Sequence, residues 1–195
     1  MGGTDLLSAE SPDTSSLGAD IRALRKVRGL TLSGMAQALG RSVGWLSQIE
    51  RDLSTPTTQD LRKFSDVLDV PVTMLMTNQP ANDEEAGFVV RKNARRPISV
   101  GKAGLHEELL SPDLTDDFEV VHSTFEPRSK ITEAVTRPTQ ELGYLVSGSM
   151  TVEIDGKSFD INAGDSFRIR GEAFRWSNPH SEPAIAIWVI APPVY

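Results

Sequence analysis

The sequence contains no cysteine. Neither a disulfide framework nor a thiolate metal site can form without it. Long apolar runs are also missing, and none approaches the roughly 20 residues that span a bilayer. The N-terminus lacks a charged region followed by an apolar core, so no signal peptide is expected. These absences predict a soluble, cytoplasmic chain with no membrane partner. Positive charge is in short supply: the net charge is −7 over 195 residues. That length suits one large or two modest domains.

The charge is unevenly placed. Residues 1–16 carry three acids and no bases, residues 17–80 carry eight bases against six acids, and residues 81–195 carry twelve against eighteen. Only the middle segment is positive, at +2. A weakly positive segment beside an acidic one suits modest phosphate binding by the first and none by the second.

Residues 1–16 are rich in Ser, Gly, Asp and Thr, with Pro12 among them, and read as a disordered arm. A helix is expected from Leu17 to about Val27, with Leu17, Ile21 and Leu24 inward and Gly29 ending it. Thr31 is placed to cap a second helix, where Leu32, Met35, Ala36 and Leu39 recur on one face. Gly40 follows, where positive φ lets a chain leave a helix. Ser42 is a second cap, and Leu46 and Ile49 give the next helix a narrow apolar stripe. Val43, Gly44, Trp45, Ser47 and Gln48 are left largely uncommitted to a core. An ordinary helical hairpin would also satisfy this spacing. A helix with so few inward residues is, however, what a DNA major groove requires.

Further along, Thr57 or Thr58 caps a fourth helix holding Leu61, Phe64, Val67 and Leu68. Pro71 opens a short fifth helix with Val72, Leu75 and Met76 inward. The domain boundaries are placed at 17–77 and 93–195, with 78–92 as linker. From Phe88 the period changes to two. Candidate strands are Phe88–Arg91, Ile98–Val100, Glu107–Leu110, Phe118–Phe125, Glu141–Val146, Met150–Ile154, Lys157–Ile161, Ser166–Arg170 and Ala184–Ile190. Asp155-Gly156 between alternating runs signals a tight hairpin. Many short strands imply a closed barrel or a two-sheet jelly roll.

The run Leu46-Ser-Gln-Ile-Glu-Arg, with Ile21-Arg-Ala-Leu-Arg-Lys before it and Ser54-Thr-Pro-Thr after it, resembles the phage-repressor-type (XRE) helix-turn-helix regulators. The resemblance covers Leu17 to Met76 and implies double-stranded DNA as partner. It also implies that Arg25 pairs with Glu50, which closes the recognition helix. Asp52 stands where that family usually has Gly. Gln48 is assigned to an adenine edge, Ser42 and Ser47 to bases or phosphates, and Val43 and Trp45 to a thymine methyl or the sugar backbone. Trp45 could instead wedge against the neighbouring helix. Gly44 gives close approach. Thr31, Gln37, Arg41, Arg51 and Thr57 lie at the ends of the unit, where phosphates are expected.

The second half resembles a cupin. Tyr144-Leu-Val-Ser-Gly-Ser-Met-Thr-Val, Asp155-Gly, Ala163-Gly-Asp-Ser-Phe and Asn178-Pro carry the likeness, and Ile187-Trp-Val-Ile-Ala-Pro-Pro fits the branch fused to helix-turn-helix domains. The expected fold is thus two-domain: an all-α helix-turn-helix domain and an all-β cupin barrel. Metal-binding cupins present two His, a Glu and a late His. Here Glu141 is the retained acid, the His positions fall on Val135 and Arg137, and the late one falls on Phe174, or on Arg175 if the alignment slips. No cofactor or metal is expected from such a set. The histidines, His106, His122 and His180, match none of these positions. Val135, Arg137, Thr139 and Glu141 are expected to alternate along one strand and share a face. If that face is inward, Arg137 and Glu141 anchor a small carboxylate or zwitterionic effector, with Tyr144, Phe174, Trp176 and Trp188 as candidate walls. The alternative is an ion pair closing a filled barrel.

The expected function is a homodimeric transcriptional regulator with a sensing barrel. A metal-dependent oxygenase or epoxidase, and an antitoxin-like binder whose barrel only dimerises, are the competing classes.

Overall fold

A computed structural model describes residues 16–76, 83–85, 87–112, 114 and 116–194. Residues 1–15 of the expected arm, and residues 77–82 with 86 of the expected linker region, lie outside them. Ser16 does not belong to an arm: its hydroxyl accepts from the Ala19 amide and caps α1, Leu17–Val27.

The helical part is built from local caps. Thr31 accepts from Gly34 N at the start of α2, Leu32–Leu39. Gly40 ends that helix at φ 64°, a left-handed conformation that costs a residue without Cβ least. Ser42 accepts from Trp45 N and starts α3, Val43–Ile49. Thr57 and Asp60 form a reciprocal capping box on α4, Thr58–Leu68. Pro71 precedes the single turn α5, Val72–Leu75. Ile21, Leu24, Met35, Leu46, Ile49, Phe64, Leu68 and Met74 are buried together between these helices. Leu75 joins them, as expected, whereas Met76 is 44% exposed.

Asp52, where the helix-turn-helix resemblance implies Gly, adopts φ 55°. Its carboxylate accepts hydrogen bonds from the Gly18 amide at 2.9 Å and from Ser16 Oγ at 2.5 Å. The left-handed backbone is offset by bonds to orphan amide and hydroxyl groups at the start of α1.

Two short 3-10 turns, Asp83–Glu85 and Lys92–Ala94, precede the barrel. The strand expected over Phe88–Arg91 is not formed. Phe88 and Val89 are 85% and 41% exposed, so this apolar run has neither a sheet edge to pair with nor a core to enter.

Among the described residues ten strands follow: β1 Arg96–Lys102, β2 Leu105–Leu109, β3 Glu119–Phe125, β4 Ser129–Lys130, β5 Gln140–Ser147, β6 Ser149–Ile154, β7 Lys157–Asn162, β8 Ser166–Ile169, β9 Phe174–Asn178 and β10 Ala184–Ala191. They form a six-stranded sheet ordered β1-β2-β3-β10-β5-β8 and a four-stranded sheet ordered β4-β9-β6-β7. All pairings within them are antiparallel. The β6–β7 turn is Asp155-Gly156 with φ 48° and 74°, matching the mirror-image turn that right-twisted strands prefer. Val121, Phe125, Leu145, Met150, Val152, Trp176 and Trp188 are buried between the sheets.

β4 and β9 were not expected from the sequence. β4 has two residues and no pattern of its own. In β9, Phe-Arg-Trp-Ser does alternate, and that period was the available signal. The strand expected to hold Val135, Arg137, Thr139 and Glu141 is broken. Val135 makes only an isolated bridge to Phe174, and β5 begins at Gln140. Pro138 lies between, without an amide to donate to a ladder.

The two cores meet. Leu109 and Leu114 of the second half are buried within the helical cluster, with Ile98 of β1 packed against it.

Candidate functional site

The α3 surface divides sharply. Leu46 and Ile49 are buried, while Val43, Gly44 and Gln48 are exposed and Ser47 is half-buried. Gln37 and Arg51 are exposed at the ends of the unit, and Arg51 Nε donates to the Ser47 carbonyl at 3.1 Å. Thr31 and Ser42 spend their hydroxyl lone pairs on caps, as described above.

Three of the expected contact residues carry structural duties. Trp45 stacks on Phe64 with ring centroids 5.9 Å apart and planes 12° apart, so it is the wedge between α3 and α4. Arg41 places its guanidinium 4.9 Å from the Trp45 ring centroid and donates to Asp60 at 2.7 Å. Thr57 Oγ1 donates to the same carboxylate at 2.7 Å. The Thr57 hydroxyl, then Arg41, hold the Asp60 carboxyl down to about 2. Arg41 is thus positioned by a buried acid, with its side chain 42% exposed.

Arg25 and Glu50 are joined as the resemblance implied. Arg25 Nε and Nη2 donate to Glu50 Oε1 and Oε2 at 2.6 and 2.9 Å, and Nη1 donates to the Leu30 carbonyl at 2.9 Å. The pair ties α1 to the end of the candidate reading helix and to the loop before α2. Its hydrogen bond to Glu50 pushes the Arg25 guanidinium's pKa up.

In the barrel, a cavity of about 310 Å³ lies between the sheets. Val135, Arg137, Glu141 and Phe174 all line it. These are the positions that the cupin resemblance assigned to metal ligands. The donors they offer are one carboxylate and a guanidinium that cannot deprotonate. Such a set does not fit a divalent metal. Among the described residues, no three His, Asp or Glu are grouped to hold one. His106 pairs with Glu126 at 2.7 Å near the surface, His122 points away from the cavity side of β3, and His180 is exposed.

Phe125, Phe174, Trp176 and Trp188 wall the cavity. Tyr144 does not. Along β5 every second residue is buried, and Tyr144 falls in the outward set at 46% exposure. Glu141 is buried and accepts from Thr139 Oγ1 at 2.7 Å, while Arg137 reaches it from the exposed side at 3.9 Å.

Sequence reading missed the other acids. Glu107 enters the cavity from β2 with Ser123 Oγ donating to it at 3.1 Å. Burial pushes its carboxyl up. Glu172 lies at the lining too. Glu119, 2% exposed and close enough to feel Glu107 and Glu141, is pushed up to about 7, chiefly by burial. The lining therefore carries Glu107, Glu141 and Glu172 against Arg137. A hint existed in the alternation of β2, which sends Leu105, Glu107 and Leu109 to one side.

Residues 16–75 match the family described as helix-turn-helix domain, and residues 121–190 match that described as cupin domain. The HTH-type transcriptional regulator PuuR of Escherichia coli K12 is 23% identical over 155 residues, which is 78% of this chain and 81% of PuuR. The HTH-type transcriptional regulator SinR of Bacillus subtilis 168 is 44% identical over 61 residues, 31% of this chain and 55% of SinR. A solved HTH_3 family transcriptional regulator from Vibrio cholerae is 22% identical with a TM-score of 0.43, covering 92% of this chain and 97% of that one.

Proposed function

We propose that this helix-turn-helix transcriptional regulator with a C-terminal cupin domain binds its operator as a homodimer and changes its DNA affinity when a small organic effector enters the barrel. The observation that carries the DNA half is the split surface of α3, where Leu46 and Ile49 anchor the helix and Val43, Gly44 and Gln48 face outward. One short helix makes few base contacts, and two-fold related half-sites are the usual remedy.

The effector is zwitterionic rather than a simple carboxylate. A bare anion would meet the carboxylates of Glu107, Glu141 and Glu172 with only Arg137 to hold it. A molecule bearing both charges satisfies Arg137 at the exposed end and the acids within, while its apolar body lies against Phe174 and Trp188. The barrel's role is regulatory rather than catalytic, because the family's metal positions hold Val135, Arg137 and Phe174. Ligand shifts DNA affinity only insofar as it favours one arrangement of the reading heads.

Thermal-shift screening of the full chain with zwitterions, simple carboxylates, Zn, Fe, Mn and Ni tests this reading, followed by operator titration with each hit. A zwitterion should raise the melting temperature and alter operator affinity. A stoichiometric metal whose binding is lost in Glu141→Ala would overturn it in favour of an enzyme. Silence throughout would leave the barrel as a dimerisation unit only.

A further inference from the structure

Among the described residues, the outer face of the six-stranded sheet is left exposed on β5 and at Val189 of β10, yet it is apolar. Leu142, Tyr144 and Val146 of β5 are 47%, 46% and 48% exposed, and Val189 of β10 is 38% exposed. Pairing aligns them into rows: Leu142 lies beside Val189, and Tyr144 beside Ile187. The row continues onto β3, where Val189 lies beside Val120 and Ile187 beside His122. A water-facing side of an antiparallel sheet normally alternates to polar residues. A contiguous apolar patch of this kind marks an interaction site.

We propose that this face is the homodimer interface, and that its two-fold axis runs along β10. The inference rests on the dimer reading above and adds where the dimer forms. Two observations choose a second copy as the occupant. The first is size. With strands about 4.8 Å apart and about 3.3 Å per residue, the face from β2 to β8 is roughly 20 Å by 25 Å. That is a flat footprint of about 500 Å² per copy, which side-chain relief enlarges toward the roughly 600 Å² per partner at the low end of stable interfaces.

The second observation is charge. β8 borders the apolar band with exposed Arg168, paired with Leu142. On the other flank, β2 presents Glu108, paired with His122. A two-fold axis along β10 lays the β8 flank of one copy over the β2 flank of the other. Arg168 then approaches Glu108 twice, once on each side, and the apolar rows meet in the middle. An isologous contact requires that reciprocity. Glu108 already holds Arg95 at 3.3 Å with its side chain 42% exposed, so it enters the interface pre-oriented.

The test uses the full chain. Light scattering at about 10 μM should give a dimer for the wild type and for Tyr144→Phe, and a monomer for Tyr144→Arg. Phe159→Arg, on the exposed side of the other sheet at 47% exposure, should stay dimeric. Because the chain has no cysteine, Ile187→Cys supplies a second readout at a single introduced thiol. Facing sheets lie about 10 Å apart, within reach of a short bismaleimide. Ile187→Cys should therefore crosslink to a dimer, and Phe159→Cys should not. Arg168→Glu should weaken the dimer at least tenfold, and adding Glu108→Arg should restore it. A dimeric Tyr144→Arg, or crosslinking of Phe159→Cys instead of Ile187→Cys, overturns the interface while leaving the dimer reading intact. A monomeric wild type overturns both.

Discussion

Asp20 of α1 and Arg96 of β1 form a buried ion pair between the two halves of the chain, with Nη1 2.5 Å from Oδ2 and side chains 8% and 1% exposed for Arg96 and Asp20 respectively. The Leu114 amide donates to the other Asp20 oxygen at 3.0 Å. The same β1–β2 region supplies Ser99, Leu105 and Glu107 to the cavity lining. One carboxylate on the first helix is thus tied to the strands that would feel an effector.

Removing one partner of a buried pair strands the other charge and typically costs about 3–5 kcal/mol. Arg96→Met should lower the melting temperature and split the calorimetric unfolding into two transitions. Effector binding should persist while its influence on operator affinity falls. An unsplit transition with undiminished coupling would show that the apolar contacts of Leu109 and Leu114 suffice.

The Arg25–Glu50 fork is partly buried and bidentate. Arg25→Met should destabilise the helical half by about 3–5 kcal/mol. Arg25→Lys should recover only part of that, since an ammonium cannot present two parallel donors. Chemical denaturation followed by helical circular dichroism would measure both. Equal stabilities for the wild type and Arg25→Met would contradict the pairing's importance.

Gln48 and Arg41 should separate on DNA. Gln48→Ala should lose roughly 1–3 kcal/mol on the cognate operator and relax one base position. Arg41→Ala should weaken operator and scrambled DNA alike and flatten the salt dependence by about one unit of slope. Because Arg41 also holds Asp60, its variant should melt earlier, whereas Gln48→Ala should not. Titration of both variants at several salt concentrations decides the matter. Uniform weakening by Gln48→Ala would mean that α3 docks in another register.

Glu119 gives a pH signature. Its carboxyl titrates near 4.5 when unfolded and at about 7 when folded. The folded protein therefore binds more protons between those values, and stability falls as pH rises through that window. Glu119→Gln keeps an acceptor for the Val194 amide and removes the charge. It should raise the melting temperature at pH 8, with the gain shrinking toward zero at pH 4. A gain that is equal at both would place the cause outside ionisation.

Much of the helical half was decided by residues acting within a turn of themselves. Thr31, Ser42 and Thr57 cap helices by reaching three residues along, Gly40 releases a helix, and Leu46 and Ile49 define an inner face. The Asp155-Gly156 hairpin is equally local. Such interactions need no distant partner, so they are visible in the order of residues alone. The cavity was less so. Motif spacing grouped Val135, Arg137, Glu141 and Phe174, and all four line one cavity, but Pro138 keeps Arg137 off the strand that holds Glu141. Tyr144 turned outward because the pleat of β5 leaves one phase to the core and the other to the surface, and the choice of phase depends on β10 beside it. Glu107 joined the cavity through a strand that the sequence placed two residues late. Asp52 took a glycine's conformation because Gly18 and Ser16, more than thirty residues earlier, supply donors to its carboxylate. Asp20 and Arg96 are 76 residues apart, and no periodicity links them. Only the closing of the barrel against α1 brings these charges together, where low local dielectric and exclusion of water strengthen their attraction.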